Sequence, residues 1–231
     1  MSARIKAVVF DIDGTLLDSV DLHARAWVEA FAHFGIQAGE AEVRRQIGKG
    51  GDQLLPVFVD EARLAQEGER IEAYRSDLFK RRYLAQAKPF PGVKSLLRHV
   101  RGAGQTVALA SSGKASEVEN YQRILGITDL VDVVTTSDDA DRSKPHPDIF
   151  EAVLSKLPGL PKEAVMVVGD TPYDAQAAAK AGLSTIGVLC GGFPEAELSA
   201  AGCVAIYRDP QICSTATRAR PWPEGIRIKK S

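Results

Sequence analysis

An α/β fold, with a doubly wound and mainly parallel sheet carrying an all-helical insertion, is what three features of this sequence predict. Short apolar runs alternate with helical patterns from Val93 to the neighbourhood of Tyr207, the rhythm of right-handed crossovers between parallel strands. A first apolar run, Ala7-Val-Val-Phe10, stands alone far upstream. Between that run and the alternating region, apolar residues recur at helical spacing and no strand signal is found.

The elements follow in order. After the first strand, Ser19 is read as the N-cap of a helix in which Leu22, Ala26, Ala30, Phe31 and Phe34 share a face, with Gly35 as its C-cap. Further helices are expected over Glu40 to Ile47, Gln53 to Glu67 and Glu69 to Gln86, with Gly48, Gly50 and Gly51 separating the first two. Lys88-Pro-Phe-Pro-Gly92 ends this helical stretch. Strands are then expected at Thr106 to Ala110, Val131 to Thr135, Val165 to Val168, Ser184 to Val188 and Cys203 to Tyr207. The intervening helices start at Val93, near Ser116, near Pro147 as a favourable first-turn proline, near Asp174 and near Pro194. Residues 1–16 and 90–209 thus form the sheet domain and residues 17–89 a helical cap on two linkers. The tail, 210–231, is rich in Thr, Pro and Arg, and is expected to be disordered or loosely packed.

A chain of 231 residues, 45% hydrophobic and 26% charged, is ordinary for a soluble globular protein. Its net charge of −1 gives no global field for nucleic acid or an anionic membrane. Cys190, Cys203 and Cys213 form an odd set without Cys-x-x-Cys spacing, so they are read as reduced structural thiols. With no signal-like apolar region near Met1 and no membrane-length apolar stretch, a cytoplasmic protein is expected. No association helix is legible, so a monomer is expected.

Four stretches carry polar residues to strand ends, where open α/β sheets bind their ligands. Asp11 and Asp13 follow the first strand in Asp11-Ile-Asp-Gly-Thr15. Two carboxylates aimed at one volume repel unless a cation or a shared proton intervenes, so the pair predicts a cation. Ser111-Ser-Gly113 follows the strand ending at Ala110, and offers a hydroxyl and backbone N–H groups suited to phosphate oxygens. Lys144 lies in Ser143-Lys-Pro-His-Pro147, where prolines stiffen the loop. Asp170 and Asp174 follow Val165-Met-Val-Val168. Singly, each has an ordinary reading as a turn former, a solvated lysine or a helix cap. Their combination on separate strand ends does not.

These residues resemble the haloacid dehalogenase superfamily over essentially Lys6 to Tyr207, specifically its phosphatase-like members with a helical cap inserted after the first strand of a Rossmann-like core. The resemblance implies that Asp11 is the nucleophile forming an aspartyl-phosphate, and that Asp13 is the acid and base. It implies Mg2+ held by Asp11, the Asp13 main-chain carbonyl, Asp170 and Asp174. Ser111 with the backbone N–H groups of Ser112 and Ile12 would hold the phosphoryl group, and Lys144 would neutralise charge beside Asp11. Dehalogenase and phosphonate-cleaving members lack the second aspartate, so Asp13 points to phosphoryl transfer.

The same resemblance extends to the cap. His23-Ala-Arg-Ala-Trp27 is similar to the first cap helix of β-phosphoglucomutase and related sugar-phosphate enzymes, and Gly48-Lys-Gly-Gly-Asp52 to their substrate loop. His23 and Lys49 are therefore candidate substrate-binding residues. Alternatively, Trp27 is core, His23 a surface or hinge residue, and the glycines a helix connection. The mutase arginine falls at Gly51 and the acid before the metal-binding aspartate at Gly169. The expectation is thus a phosphatase for a small phosphate monoester, a sugar phosphate or a phosphoglycolate-like acid. A mutase and a non-catalytic phosphate-binding or regulatory protein remain alternatives.

Overall fold

The computed structural model describes residues 4–211. Cys213 and all but the first two residues of the expected 210–231 tail lie outside the described residues. In chain order the elements are β1 (Ala7–Phe10), β2 (Leu17–Asp18), α1 (Val20–His33), α2 (Glu40–Arg44), α3 (Gly51–Phe58), α4 (Glu61–Leu78) and β3 (Lys88–Pro89). There follow α5 (Val93–Gly102), β4 (Thr106–Ala110), α6 (Ala115–Leu125), β5 (Val133–Thr135) and α7 (Asp148–Ser155). The last are β6 (Val165–Gly169), α8 (Pro172–Lys180), β7 (Ser184–Val188), α9 (Glu195–Ala200) and β8 (Ala205–Tyr207).

Among the described residues, six strands form one parallel sheet in the order β5-β4-β1-β6-β7-β8. Each core strand is apolar throughout because both faces are covered. Val8, Phe10, Val107, Leu109, Met166 and Val168 face α5 and α6 in one apolar cluster. Ala7, Val9, Ala108, Ala110, Val165 and Val167 face α7 and α8 in another. The chain winds outward from β1 through β4 to β5, then returns to its other side at β6. That reversal opens a crevice beyond the carboxyl ends of β1, β4 and β6.

Between β1 and α5 the regular elements are helical apart from one short ribbon. A separate apolar cluster of Trp27, Phe31, Val43, Leu54, Leu55 and Ile71 joins α1 to α4. The connections in and out pair as an antiparallel ribbon, Leu17 with Pro89 and Asp18 with Lys88. Sequence periodicity has nothing to register in strands of two residues, and proline is tolerated at such an edge.

Several boundaries differ from expectation. The helix break expected at Gly68 lies at Val59–Asp60, because the Asp60 carboxylate caps α4 by accepting from Arg63 N–H at 2.9 Å. Gly68 sits inside α4. Beyond Leu78 the chain passes through a π-helical turn, Phe79–Tyr83, and a 3-10 turn, Leu84–Gln86. Ser19 occupies the N-cap position of α1 without capping it, since its hydroxyl is committed to Asp13. Pro147 stands at the N-cap of α7, just outside its first turn.

Candidate active site

The site is built where β1, β4 and β6 end. Asp11 leaves β1 directly and Asp170 leaves β6 directly, so the parallel pairing of these strands brings their carboxylates to one rim. Thr171 and Asp174 form a capping box at the start of α8: Thr171 N–H and its hydroxyl donate to Asp174 Oδ2 at 3.1 and 2.6 Å. That fixes Asp174 with Oδ1 facing Lys144 Nζ at 2.7 Å. Asp174 is thus a helix-capping residue whose second carboxylate oxygen faces the buried ammonium.

Lys144 is wholly buried, the opposite of a solvated loop lysine. Its ammonium donates to Asp11 Oδ1 at 2.5 Å and to the Ala110 carbonyl at 3.1 Å, and pairs with Asp174 Oδ1 at 2.7 Å. These acids hold its pKa above the ordinary lysine range, although burial acts the other way. Asp170 Oδ1 accepts from the Thr15 hydroxyl at 2.8 Å, while its Oδ2 is buried with no partner among the described residues.

One ammonium cannot balance this set. Oxygens of Asp11, Asp170 and Asp174 lie within 4.8 Å of one another, and all three residues are buried. Each like pair at that distance costs about 3–4 kcal/mol at an effective dielectric of about 20. Burial, then repulsion from Asp174 and Asp13, raises Asp11 to about 7 against the pull of Lys144. Burial and the charges of Asp11 and Asp174 push Asp170 well above the carboxylate range. Hard oxygen donors, excess negative charge and the orphaned Asp170 oxygen fit a small divalent cation. Glycines make room for this crowding. A Cβ at Gly14, whose φ is +85°, would lie 2.3 Å from Asp170 Oδ2, and one at Gly169 would lie 2.6 Å from Asp174 Cβ.

Asp13 faces a different environment. Its Oδ1 accepts from the Ser19 hydroxyl at 2.5 Å and lies 3.0 Å from His23 Nε2. Burial would raise its pKa, but the His23 ring and the Ser19 hydroxyl outweigh that, and the net shift is downward. His23 stacks on Phe79 at 3.9 Å between ring centroids, and its Nε2 lies 3.3 Å from the Tyr121 hydroxyl. The π-helical turn thus places the ring that backs His23.

Asp11 and Asp13 line a cavity of about 50 Å³ between the sheet rim and the helical insertion. His23, Lys49 and Ser112 line it too, as do Trp27, Arg75, Glu117 and Tyr121. Lys49 Nζ donates to Gln46 Oε1 at 2.6 Å and lies 4.8 Å above the Tyr173 ring; burial lowers its pKa. Trp27 is both core and wall. Ser111 is buried, its hydroxyl accepting from Gly113 N–H at 3.1 Å. Ile12 packs its side chain in the core and accepts the N–H groups of Thr15, Leu16 and Leu17 on its carbonyl.

Sequence reasoning missed Thr15, Ser19, Arg75, Glu117 and Tyr121. Thr15 was signalled by its place in the first motif, whereas Glu117 and Tyr121 are one helical turn apart on α6, four residues being the spacing of neighbours on a helix face. Arg75 lies in a highly charged helix and has no distinguishing signal. Contacts across the rim also close the insertion onto the sheet. Arg45 Nη2 lies 2.7 Å from Glu197 Oε2, the Tyr173 hydroxyl donates to the Arg45 carbonyl at 2.7 Å, and Ser143 N–H donates to Asp52 at 3.0 Å.

Comparison with known proteins agrees with this architecture. The model of the haloacid dehalogenase-like hydrolases matches residues 5–182. A phosphoglycolate phosphatase of Yersinia pestis is 35% identical over 192 residues, covering 81% of this chain and 82% of the relative. A phosphorylated carbohydrates phosphatase of Thermotoga maritima is 29% identical, covering 90% and 96%. The crystal structure of a hydrolase from Pseudomonas syringae superposes with a TM-score of 0.83 at 27% identity, covering 93% and 98% of the two chains. No helix of residues 4–211 is long and apolar enough to cross a membrane.

Proposed function

The chain belongs to the haloacid dehalogenase-like hydrolase family, and from that premise we propose that it is a magnesium-dependent phosphatase acting on a small phosphate monoester through a phosphorylated Asp11. The observation that carries this reading is the buried set of three carboxylates around one ammonium. Its surplus negative charge calls for a cation, whose charge would in turn draw a phosphoryl group to the rim beside Asp11.

Asp11, Asp170 and Asp174, with the Asp13 carbonyl, would hold Mg2+, which when bound supplies positive charge to the phosphoryl oxygens. Asp174 is the most constrained of these, since Thr171 and Lys144 already engage its two oxygens. Lys144 keeps Asp11 aimed and lowers the repulsion between its carboxylate and the incoming dianion. An Asp11 oxygen attacks phosphorus; the P–O bond to the leaving group breaks, and the departing alkoxide takes a proton from the Asp13–His23 pair. Water then attacks the phosphorylated Asp11, Asp13 accepts its proton, and inorganic phosphate leaves with the carboxylate regenerated. Ser111, with the backbone N–H groups of Ser112 and Ile12, is the proposed cradle of the phosphoryl group.

The relatives' names support a small phosphorylated metabolite as substrate. A cavity of about 50 Å³ holds a few waters, so substrate enters when the helical insertion swings away, with the β2–β3 ribbon as its tether. Hydrolysis is favoured over intramolecular phosphoryl transfer by the wall at Gly51: a Cβ there would meet the Glu72 carboxylate at 2.7 Å, so acid rather than base occupies that side. Purified protein should release p-nitrophenol from p-nitrophenyl phosphate only when Mg2+ is present. A folded, Mg2+-binding protein that turns over no monoester would establish the phosphate-binding alternative instead.

A further inference from the structure

Beside Asp11 and Asp13, the cavity lining carries three polar side chains with unused hydrogen-bonding capacity. Arg75, on α4, lies with its guanidinium 5.0 Å above the Trp27 ring, and its Nε is buried with no partner among residues 4–211. Ser112 Oγ is likewise buried and unpartnered among them. Glu117, on α6, is 3% exposed, and its Oε1 accepts from the Ser76 hydroxyl of α4 at 2.6 Å. Its Oε2 takes no hydrogen bond within the described residues, and lies 3.3 Å from where Gly113 would carry a Cβ. All three residues line the same cavity as Asp11 and Asp13.

We propose that Glu117 is a specificity-determining residue whose carboxylate selects a hydroxyl-bearing, uncharged leaving group, a sugar or polyol, over one that carries a carboxylate or a second phosphate. The proposal rests on the phosphatase reading and narrows its substrate class. A guanidinium only donates and a carboxylate only accepts, whereas a hydroxyl does both. Adjacent hydroxyls can therefore donate to Glu117 Oε2 while accepting from Arg75 and Ser112, leaving nothing unsatisfied. An acidic leaving group would satisfy Arg75 and Ser112 but would press its charge against Glu117 in a site with little water to screen it. The Ser76 contact alone would need only an acceptor; it does not account for a charged group whose second oxygen is left open to the cavity.

The test compares sorbitol 6-phosphate with 2-phosphoglycolate on wild type and on Glu117→Gln, which keeps the size of the side chain and an acceptor for Ser76 while removing the charge. Wild type is expected to prefer the polyol phosphate by about ten-fold or more in kcat/KM, and Glu117→Gln to shrink that ratio by about ten-fold. A wild-type preference for phosphoglycolate, or an unaltered ratio in the variant, overturns the proposal. Failure of the phosphatase reading looks different: neither ester, nor p-nitrophenyl phosphate, is turned over. The same comparison is then made by calorimetric binding to Asp11→Asn with and without Glu117→Gln. Tighter binding of the polyol phosphate, narrowed by the glutamine, supports the proposal; the reverse order or an unaltered ratio overturns it.

Discussion

The sheet rim and the wall of the helical insertion face each other across one cavity but are built in opposite ways. On the rim, Asp11, Lys144 and Asp174 hold one another at 2.5 and 2.7 Å in full burial, and their positions follow from strand ends and a capping box. On the wall, Arg75 Nε has no partner among residues 4–211, and His23 and Lys49 make only one or two polar contacts each. A preorganised rim costs no reorganisation during the reaction, whereas a wall with unspent polar groups can read whatever leaving group arrives. On the proposed reading the strand ends supply the chemistry, and the wall that α4 of the insertion and α6 of the sheet domain build together reads the leaving group.

If that division holds, Asp11→Asn has the largest effect: turnover of every substrate falls by at least about 10⁴-fold, checked by phosphate release on several monoesters. Comparable activity on any one of them breaks the comparison. The second prediction concerns metal and pH on the rim alone. Asp11 is raised to about 7 in the folded protein, so its contribution to stability is present below the ordinary carboxylate range and is lost as pH rises through 7. Mg2+ binds the ionised carboxylates, so it should raise the melting temperature more at pH 8 than at pH 6; calorimetric scans with and without Mg2+ check this.

The wall gives smaller and more selective effects. Arg75→Ala should lower kcat/KM for the preferred substrate about ten- to a hundred-fold, while leaving the Mg2+ dependence of melting unaltered. A matching loss of Mg2+ stabilisation would show that rim and wall are not separable. Smallest is Glu197→Ala, which removes the exposed contact to Arg45. An exposed ion pair contributes about 0–1 kcal/mol, so KM should change by no more than about five-fold, as initial-rate measurements would show.

Legibility in the sequence follows the same divide. The strand at Ser184–Val188 matches its expected bounds because both faces are apolar and turns flank it. Asp11, Lys144, Asp170 and Asp174 were legible because each sits at the end of an apolar run or in a stiffened loop, positions that the topology must bring together. Arg75 was not, because a helix as charged as α4 gives no hint of which arginine turns inward until α1 and Trp27 are packed against it. The Gly68 boundary failed for a related reason: a glycine reads locally as a break, yet the Asp60 cap and the burial of Ile71 hold the helix through it. Ser19 shows a further limit: its hydroxyl, at an N-cap position, serves the Asp13 carboxylate in place of the helix, and only the fold decides between the two.

Mass analysis of the Asp13→Asn variant, quenched during exposure to Mg2+ and a phosphate monoester, tests the covalent step most directly. The account predicts one phosphoryl group on the peptide containing Asp11, accumulating because the second step lacks its base. Continued phosphate release with no label on that peptide would contradict it.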